Sequence, residues 1–523
     1  MPGLCGQSGG HILGALIPKP NGKLAGGANP DLGISQLIDL AKQQALALDK
    51  SASANLANSD DRPPVDVRKS RNRRDAPASP ASSWATKVRT TTRQQWMNPL
   101  SRGGLALLVN TALTGVLGFA YWTVAARLFS TYAVGVAGAL VAATTLFSGI
   151  GQLNLSGMLM RFLPRARGRS RKLVLTTYAY AAGASGLLAS VSLVGVRLFA
   201  SPGSPLRLDT LESVALVLAV TATAIFTIQD SVLIGLRRAV WVPVENGSFG
   251  VAKIGLLFVL APLGTAFAVF GAWMIPLTLT IPVISAALFF RFLPQAPRFG
   301  RAVSFGRRMR AKIVRFTVGD ATGGLFTQAW TNLLPVIITA SLGPSSNALF
   351  FTSFLFSSTL DQVATNYASP LIVEIAHAPD KMATLIRSTL RHIFVIVFPA
   401  VTGLALMSPF LLRAFGEKYV SAVPLMCLLL IACLPKAVSV VFYAYCRVQR
   451  TTNRSAILQA YICIVTLSAV VLLAQSIGLI GIGVVILLVQ MSGAAVSWWS
   501  LRRELRLVEQ VSDKRGRQNA ASQ

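Results

Sequence analysis

Long apolar runs recur along the chain at about 103–126, 133–158, 173–199, 212–235, 243–262, 267–290, 317–341, 347–373, 390–412, 420–443, 456–477 and 478–500. An α-helix needs about 20 residues to cross about 30 Å of hydrocarbon, and each run is long enough. The pattern therefore predicts twelve transmembrane helices, with the boundary between the last two at Ser476–Gly483. The stretches between the runs are short, so the mass of the protein after residue 101 lies in the bilayer.

Charge tests that count independently. The loops at 161–172, 237–238, 291–316, 381–391 and 447–454 together hold 22 Arg and Lys, whereas the alternate loops and their edges hold only Arg127, Arg197, Arg207, Arg413 and Lys418. The asymmetry keeps its phase from end to end, which under the positive-inside rule places both termini and the heavy loops in the cytoplasm. The heaviest stretch, Leu293–Phe316, carries seven Arg/Lys and no acid, and it divides the runs into two sets of six. The expected architecture is an all-α polytopic membrane protein of about twelve transmembrane helices. Its two six-helix lobes, 102–294 and 317–503, have the same orientation and are joined by a basic cytoplasmic linker, 295–316, with a polar cytoplasmic tail at 504–523. Such lobes, related about an axis along the membrane normal, suit alternating access by rocking around a cleft between them.

Composition agrees: 53% of residues are hydrophobic, 13% are charged, and mean hydropathy is +0.57. A net charge of +30 would suggest nucleic acid in a soluble protein, yet here the cations gather beside the spans, where headgroups and topology explain them, so no nucleic-acid partner is expected. Residues 1–101 differ in kind. Pro, Ser, Asn, Asp and Arg dominate 51–95, a composition that cannot build a core, so a largely disordered basic cytoplasmic tail is expected, with one short amphipathic helix at Ile34–Leu48. The opening MPGLCGQSGG lacks a signal-peptide pattern, and Met97, six residues before the first run, offers an alternative start. Five cysteines and three histidines show no metal-ligand spacing, and no phosphate-binding G-x-x-x-x-G-K-[ST] loop occurs, so neither a metal nor another cofactor, nor an enzyme, is expected.

Candidate chemistry lies in the few charges at span depth, which are costly unless they face the bundle interior or a wet cavity. Lys253, Asp361 and Lys436 are the deepest. One reading makes Lys253 and Lys436, with Arg127 near the outer rim, a cationic track for an anionic substrate, with Asp361 positioning or neutralising one lysine; the plainer alternative is interhelical pairing or snorkelling. Asn110, Gln152, Asn154, Gln328, Asn332 and Asn366 lie in the first two spans of each half, where they could line a cleft or stitch helices together.

The run Leu105–Pro164 resembles the opening of the polysaccharide flippases. It has an Asn-bearing first helix, the exit Ala126-Arg127-Leu128-Phe129, a Gly-rich second helix, and a basic loop after Gly157–Pro164. Gln229–Asn246 and Val251–Gly264 are similar to that group's fourth and fifth helices. These are the O-antigen and exopolysaccharide repeat-unit translocases of the multidrug/oligosaccharidyl-lipid/polysaccharide exporter superfamily. The resemblance covers about residues 100–505. It implies a MATE-like scaffold that moves an undecaprenyl-diphosphate-linked oligosaccharide across the cytoplasmic (inner) membrane for surface or exopolysaccharide assembly. Its partners would be that substrate, membrane lipids, and a polysaccharide polymerase or chain-length regulator. Lys253, Arg127 and Lys436 could take the family's basic cavity roles. A cation-coupled multidrug exporter on the same scaffold and a lipid II flippase are the alternatives; the exporter would favour a net acidic cavity, and the lipid II branch usually carries more spans and a denser set of cavity arginines.

Overall fold

A computed structural model of the chain describes residues 99–293, 307–377, 381–449 and 451–521, except 153–154, 164–165, 167–169 and 202. The expected tail helix at Ile34–Leu48, most of the central basic linker and Asn154 lie outside the described residues.

In chain order the helices of the first half are α1 (Pro99–Leu128), α2 (Thr131–Gln152), a short α3 (Leu155–Phe162) that prolongs the second crossing, and α4 (Ser170–Phe199). They continue with α5 (Thr210–Gly235), α6 (Trp241–Leu260) and α7 (Ala266–Ala286). The second half holds α8 (Arg307–Leu342), α9 (Pro344–His377), α10 (Met382–Phe415), α11 (Val423–Val448) and α12 (Thr452–Ala521). Helix is the only open-ended element that satisfies every backbone polar group in hydrocarbon. Where the ladder is disturbed, side chains intervene. α7 contains Pro276 and Pro282 and ends in a π-helical turn, Ala287–Phe292, and the buried Gln229 amide donates to the Ile281 carbonyl and to Ser285 Oγ, 2.9 Å each.

Among the described residues ten helices are long and apolar enough to span a membrane. Two facts bring the crossings to twelve. α12, at 70 residues, would be about 105 Å long if straight. It instead breaks at Gly478, whose φ of 64° belongs to the left-handed region that glycine tolerates. The contacts Arg454–Glu504 (2.9 Å) and Tyr461–Ser492 (3.0 Å) are both centred near residue 478, so α12 is an antiparallel hairpin of two crossings. The other fact is α9, 34 residues long, which is not one of the ten; Ser, Thr and Asn run through it because one of its faces lines a cavity rather than lipid.

The two halves repeat one packing pattern. α1 packs on α6 as α8 packs on α12, α2 on α5 as α9 on α11, and α4 on α5 as α10 on α11. The halves meet where α2 packs against α8 and α9, and α1 against α10. A continuous core runs through both, from Tyr121 and Trp122 to Phe350, Phe415 and Val441.

Candidate functional site: a polar cavity in the C-terminal half

α11 begins on the sparsely charged face and ends on the basic face. Its residues Lys436, Val440, Tyr443 and Arg447 recur at helical spacing on one side and line a cavity of about 610 Å³. α8 adds Thr327, Gln328, Trp330, Thr331 and Asn332; α9 adds Ser358, Asp361, Gln362 and Thr365; Gln459 and Gln490 come from the two arms of α12. From the first half, Thr145 of α2 reaches the lining. The cavity is thus built chiefly within the C-terminal six helices, not evenly between the lobes as the symmetry of the sequence suggested. Eleven residues of helix separate Lys436 from Arg447, about 16 Å, so the wall runs from mid-membrane to the last turn before the basic face.

At its deep end Lys436 Nζ donates to Asp361 Oδ2 at 2.5 Å, and the ammonium lies 4.8 Å from the centre of the buried Trp330 ring. The two charged side chains are only 18% and 17% exposed, so the pair is held in a semi-dry setting where neither charge is fully hydrated. Asp361 Oδ1 meets no hydrogen-bond donor at bonding geometry among the described residues. The neutral lining is pre-arranged: Thr327 donates to Gln459 Oε1 (2.7 Å), and the Asn332 amide donates to Gln328 Oε1 (3.1 Å). Gln362 Nε2 donates to Asn366 Oδ1 (3.1 Å), which ties Asn366 to the lining. Such a surface offers hydroxyl and amide hydrogen-bonding groups, the half-buried Tyr443 ring and two cations. Among the described residues no three His, Cys, Asp or Glu side chains converge to hold a metal.

The other residues singled out in the sequence stand elsewhere. Lys253 of α6 is 4% exposed and sits over the Trp273 ring (3.5 Å), with Tyr121 and Phe249 each 5.0 Å away. Cation–π contact with three rings takes the place of an anion there. Arg127 sits at the far end of α1, where Nε and Nη2 donate to the carbonyls of Ala414 (2.7 Å) and Arg413 (2.8 Å) and cap the C-terminus of α10. Gln152 is buried and accepts from Ser156 (3.3 Å), and the side-chain oxygen of Asn110 on α1, Oδ1, is buried without a hydrogen-bond partner among the described residues. Lys253, Arg127 and Lys436 therefore do not form one track; the three cations sit in three different settings. Sequence reasoning missed Trp330, Tyr443 and Gln490, and counted Arg447 as a loop charge although it lies on the cavity face of α11. The signal that could have found it is the spacing 436, 440, 443, 447.

On the sparsely charged face the halves are closed against each other. The Phe119, Phe356 and Phe415 rings meet at 5.3, 5.3 and 6.1 Å, joining α1, α9 and α10. Trp122 meets Phe351 at 4.6 Å. Beside them the buried Asn347 amide of α9 donates to the Gly135 carbonyl of α2 at 2.7 Å. Cavity toward the basic face and closure on the opposite face, in a twelve-crossing bundle of two repeated halves, define a multi-pass membrane protein with a one-sided polar cavity.

Comparison with known proteins makes the class specific. Residues 124–424 match the family of polysaccharide biosynthesis proteins, and the chain belongs to that family. Among solved structures, the fold is similar to the inward-facing conformation of a multidrug resistance MATE family transporter, with 16% identity and a TM-score of 0.58 over 77% of this chain and 99% of that one. It is also similar to a MOP superfamily transporter from Pyrococcus furiosus, and to the outward-facing conformation of a multidrug resistance MATE family transporter. Each of these has 15% identity and a TM-score of 0.54 over 79% of this chain and 96% of the other. No curated protein matches the sequence.

Proposed function

We propose that this transporter moves a lipid-linked oligosaccharide repeat unit, of the undecaprenyl-diphosphate type, across the cytoplasmic membrane by alternating access. The observation that carries the reading is the lining of the 610 Å³ cavity: hydroxyls, carboxamides and the Tyr443 ring suited to sugar, with Lys436 and Arg447 for phosphate. Lys436, Asp361 and Asn332 contact the substrate, and Asn366 orients Gln362 beside it. Lys253 holds α1, α6 and α7 together through its aromatic box, and Arg127 belongs to the closure on the outer side. With the basic face in the cytoplasm, the cavity is loaded from the side where such lipids are assembled. A polymerase or chain-length regulator would take up the product.

Deleting the gene and assaying lipid-linked saccharides by leaflet tests the reading. Build-up of the intermediate on the inner leaflet, with loss of surface polysaccharide, is the expected result; unchanged polysaccharide without build-up, together with a changed drug accumulation, would assign the scaffold to drug export instead.

Two further outcomes are expected. In a background without native cysteines, Gly203→Cys should react with an impermeant maleimide in intact cells and Lys381→Cys only after permeabilisation. The reverse pattern would invert the topology. Lys253→Met, which keeps the stem and removes a desolvated charge, should leave export within about twofold at equal protein level, whereas Lys253→Ala empties the box and should cost about 2 kcal/mol of stability. A severe export defect in a stable Lys253→Met protein would return Lys253 to the substrate path.

A further inference from the structure

On the other side of α11 from the central cavity lies a second hollow, of about 510 Å³, between α10 and the second arm of α12, with Val438 of α11 at its back. Its two walls mirror each other. Arg387 and Arg391 on α10 and Arg502 and Arg506 on α12 are i, i+4 pairs, so each pair stands on one helix face. Both pairs lie toward the basic face, since the Arg454–Glu504 contact sets that stretch of α12 level with the beginning of its first arm. One turn deeper, Phe394 and Trp498 face the hollow, and the remaining lining is Ile and Leu. Along the membrane normal the lining thus passes from guanidinium to aromatic, and the Ile and Leu side chains stand between the arginines, each directly preceding one in the chain.

Among the described residues the charge in the hollow is one-sided. Its described lining contains no carboxylate, and the nearby Glu504 is engaged by Arg454 at 2.9 Å. Arg502 lies 5.6 Å from the Trp498 ring centre, a contact that leaves its N–H edge available, and no ion pair involves Arg391, Arg502 or Arg506 among the described residues. Guanidinium groups bind phosphate oxygens through paired N–H donors. The lining also lacks the Ser, Thr, Asn and Gln side chains that fill the central cavity, so it has little to offer a sugar.

We infer that this hollow is a binding site for one anionic glycerophospholipid of the basic-face leaflet. Its phosphate lies among Arg391, Arg502 and Arg506, and its acyl chains run past Phe394 and Trp498. The site is separate from the substrate cavity and bridges α10 to α12, so an occupied site ties the two together.

Native mass spectrometry of the delipidated full chain with added phosphatidylglycerol, phosphatidylethanolamine or a polyprenyl diphosphate tests this. The wild-type protein should retain one phosphatidylglycerol at about tenfold lower lipid concentration than phosphatidylethanolamine, and its thermal midpoint should rise with phosphatidylglycerol alone. Arg391→Gln/Arg502→Gln/Arg506→Gln should lose both the preference and the midpoint shift, while the triple Lys variant keeps part of them. Should the triple Gln variant fail to fold, Arg391→Gln and Arg506→Gln singly should each weaken retention several-fold. Equal phosphatidylglycerol retention by wild type and the Gln variants, or displacement of phosphatidylglycerol by polyprenyl diphosphate, would overturn the assignment. Either result is independent of whether the central cavity carries oligosaccharide.

Discussion

Lys436→Ala is expected to reduce export at least tenfold and to destabilise the protein by about 3 kcal/mol. The second effect follows from what the substitution leaves behind: Asp361, 17% exposed, loses the ammonium 2.5 Å from its Oδ2. Stranding one member of a buried pair typically costs about 3–5 kcal/mol, and the access that the cavity gives to water places this pair at the low end. The first effect follows from the proposed contact with phosphate. The two can be separated. Lys436→Met/Asp361→Leu removes both charges at similar volume, so stability should return toward wild type, or exceed it, while export stays low. Thermal unfolding in detergent beside an export assay at matched protein level reads both quantities. Wild-type export from the stable double variant would show that the pair only holds α9 to α11.

The second large effect is expected at Gly135. This residue has no side chain because the Pro344 carbonyl of α9 occupies the space where a Cβ would stand, and its own carbonyl accepts from the fully buried Asn347. Any larger residue forces α2 and α9 apart on the face where the halves close. Overpacking of this kind costs about 1–3 kcal/mol or more, and about 1.4 kcal/mol shifts a two-state population tenfold. Gly135→Val should therefore depopulate the arrangement described here, in which the cavity faces the basic side, and export should fall by at least tenfold. A reporter at Ala348, fully buried beside this contact, makes the shift visible. Ala348→Cys should resist an impermeant maleimide in the parent background and react once Gly135→Val is added. Unchanged labelling and export would show that the contact between α2 and α9 persists throughout transport.

Much of the architecture was legible because a bilayer imposes local rules. Twelve crossings follow from the length of apolar runs, and the alternating loop charges follow from topology, so neither requires knowledge of what touches what. The break in α12 falls at Gly478, inside the stretch Ser476–Gly483 where the runs of the last two spans abut. α9 has too polar a sequence to qualify among the apolar helices, and that polarity is itself a trace of the cavity.

The chemistry of individual residues was less legible. Lys253 and Lys436 are the same residue type at similar depth, and the sequence treats them alike. Their difference arises chiefly from neighbours on other helices: rings of α1 and α7, with Phe249 of its own helix, surround one, and an aspartate 75 residues away meets the other. Arg127 was drawn into the same group by its charge, yet its two hydrogen bonds reach carbonyls more than 280 residues later. Arg447 looked like one more cytoplasmic charge until α11 turned it toward the cavity.

By itself, then, the sequence determined the membrane class, the number of crossings, the division into two halves and the resemblance to polysaccharide flippases, all of which rest on periodicity, run length and charge along one dimension. The tertiary structure alone decided which half builds the polar cavity, which lysine lines it, where the halves close, and which arginines converge on the flank of α10 and α12. Those properties depend on side chains brought together from helices far apart in the chain, and burial and pairing in a low-dielectric interior are set by that assembly rather than by residue type.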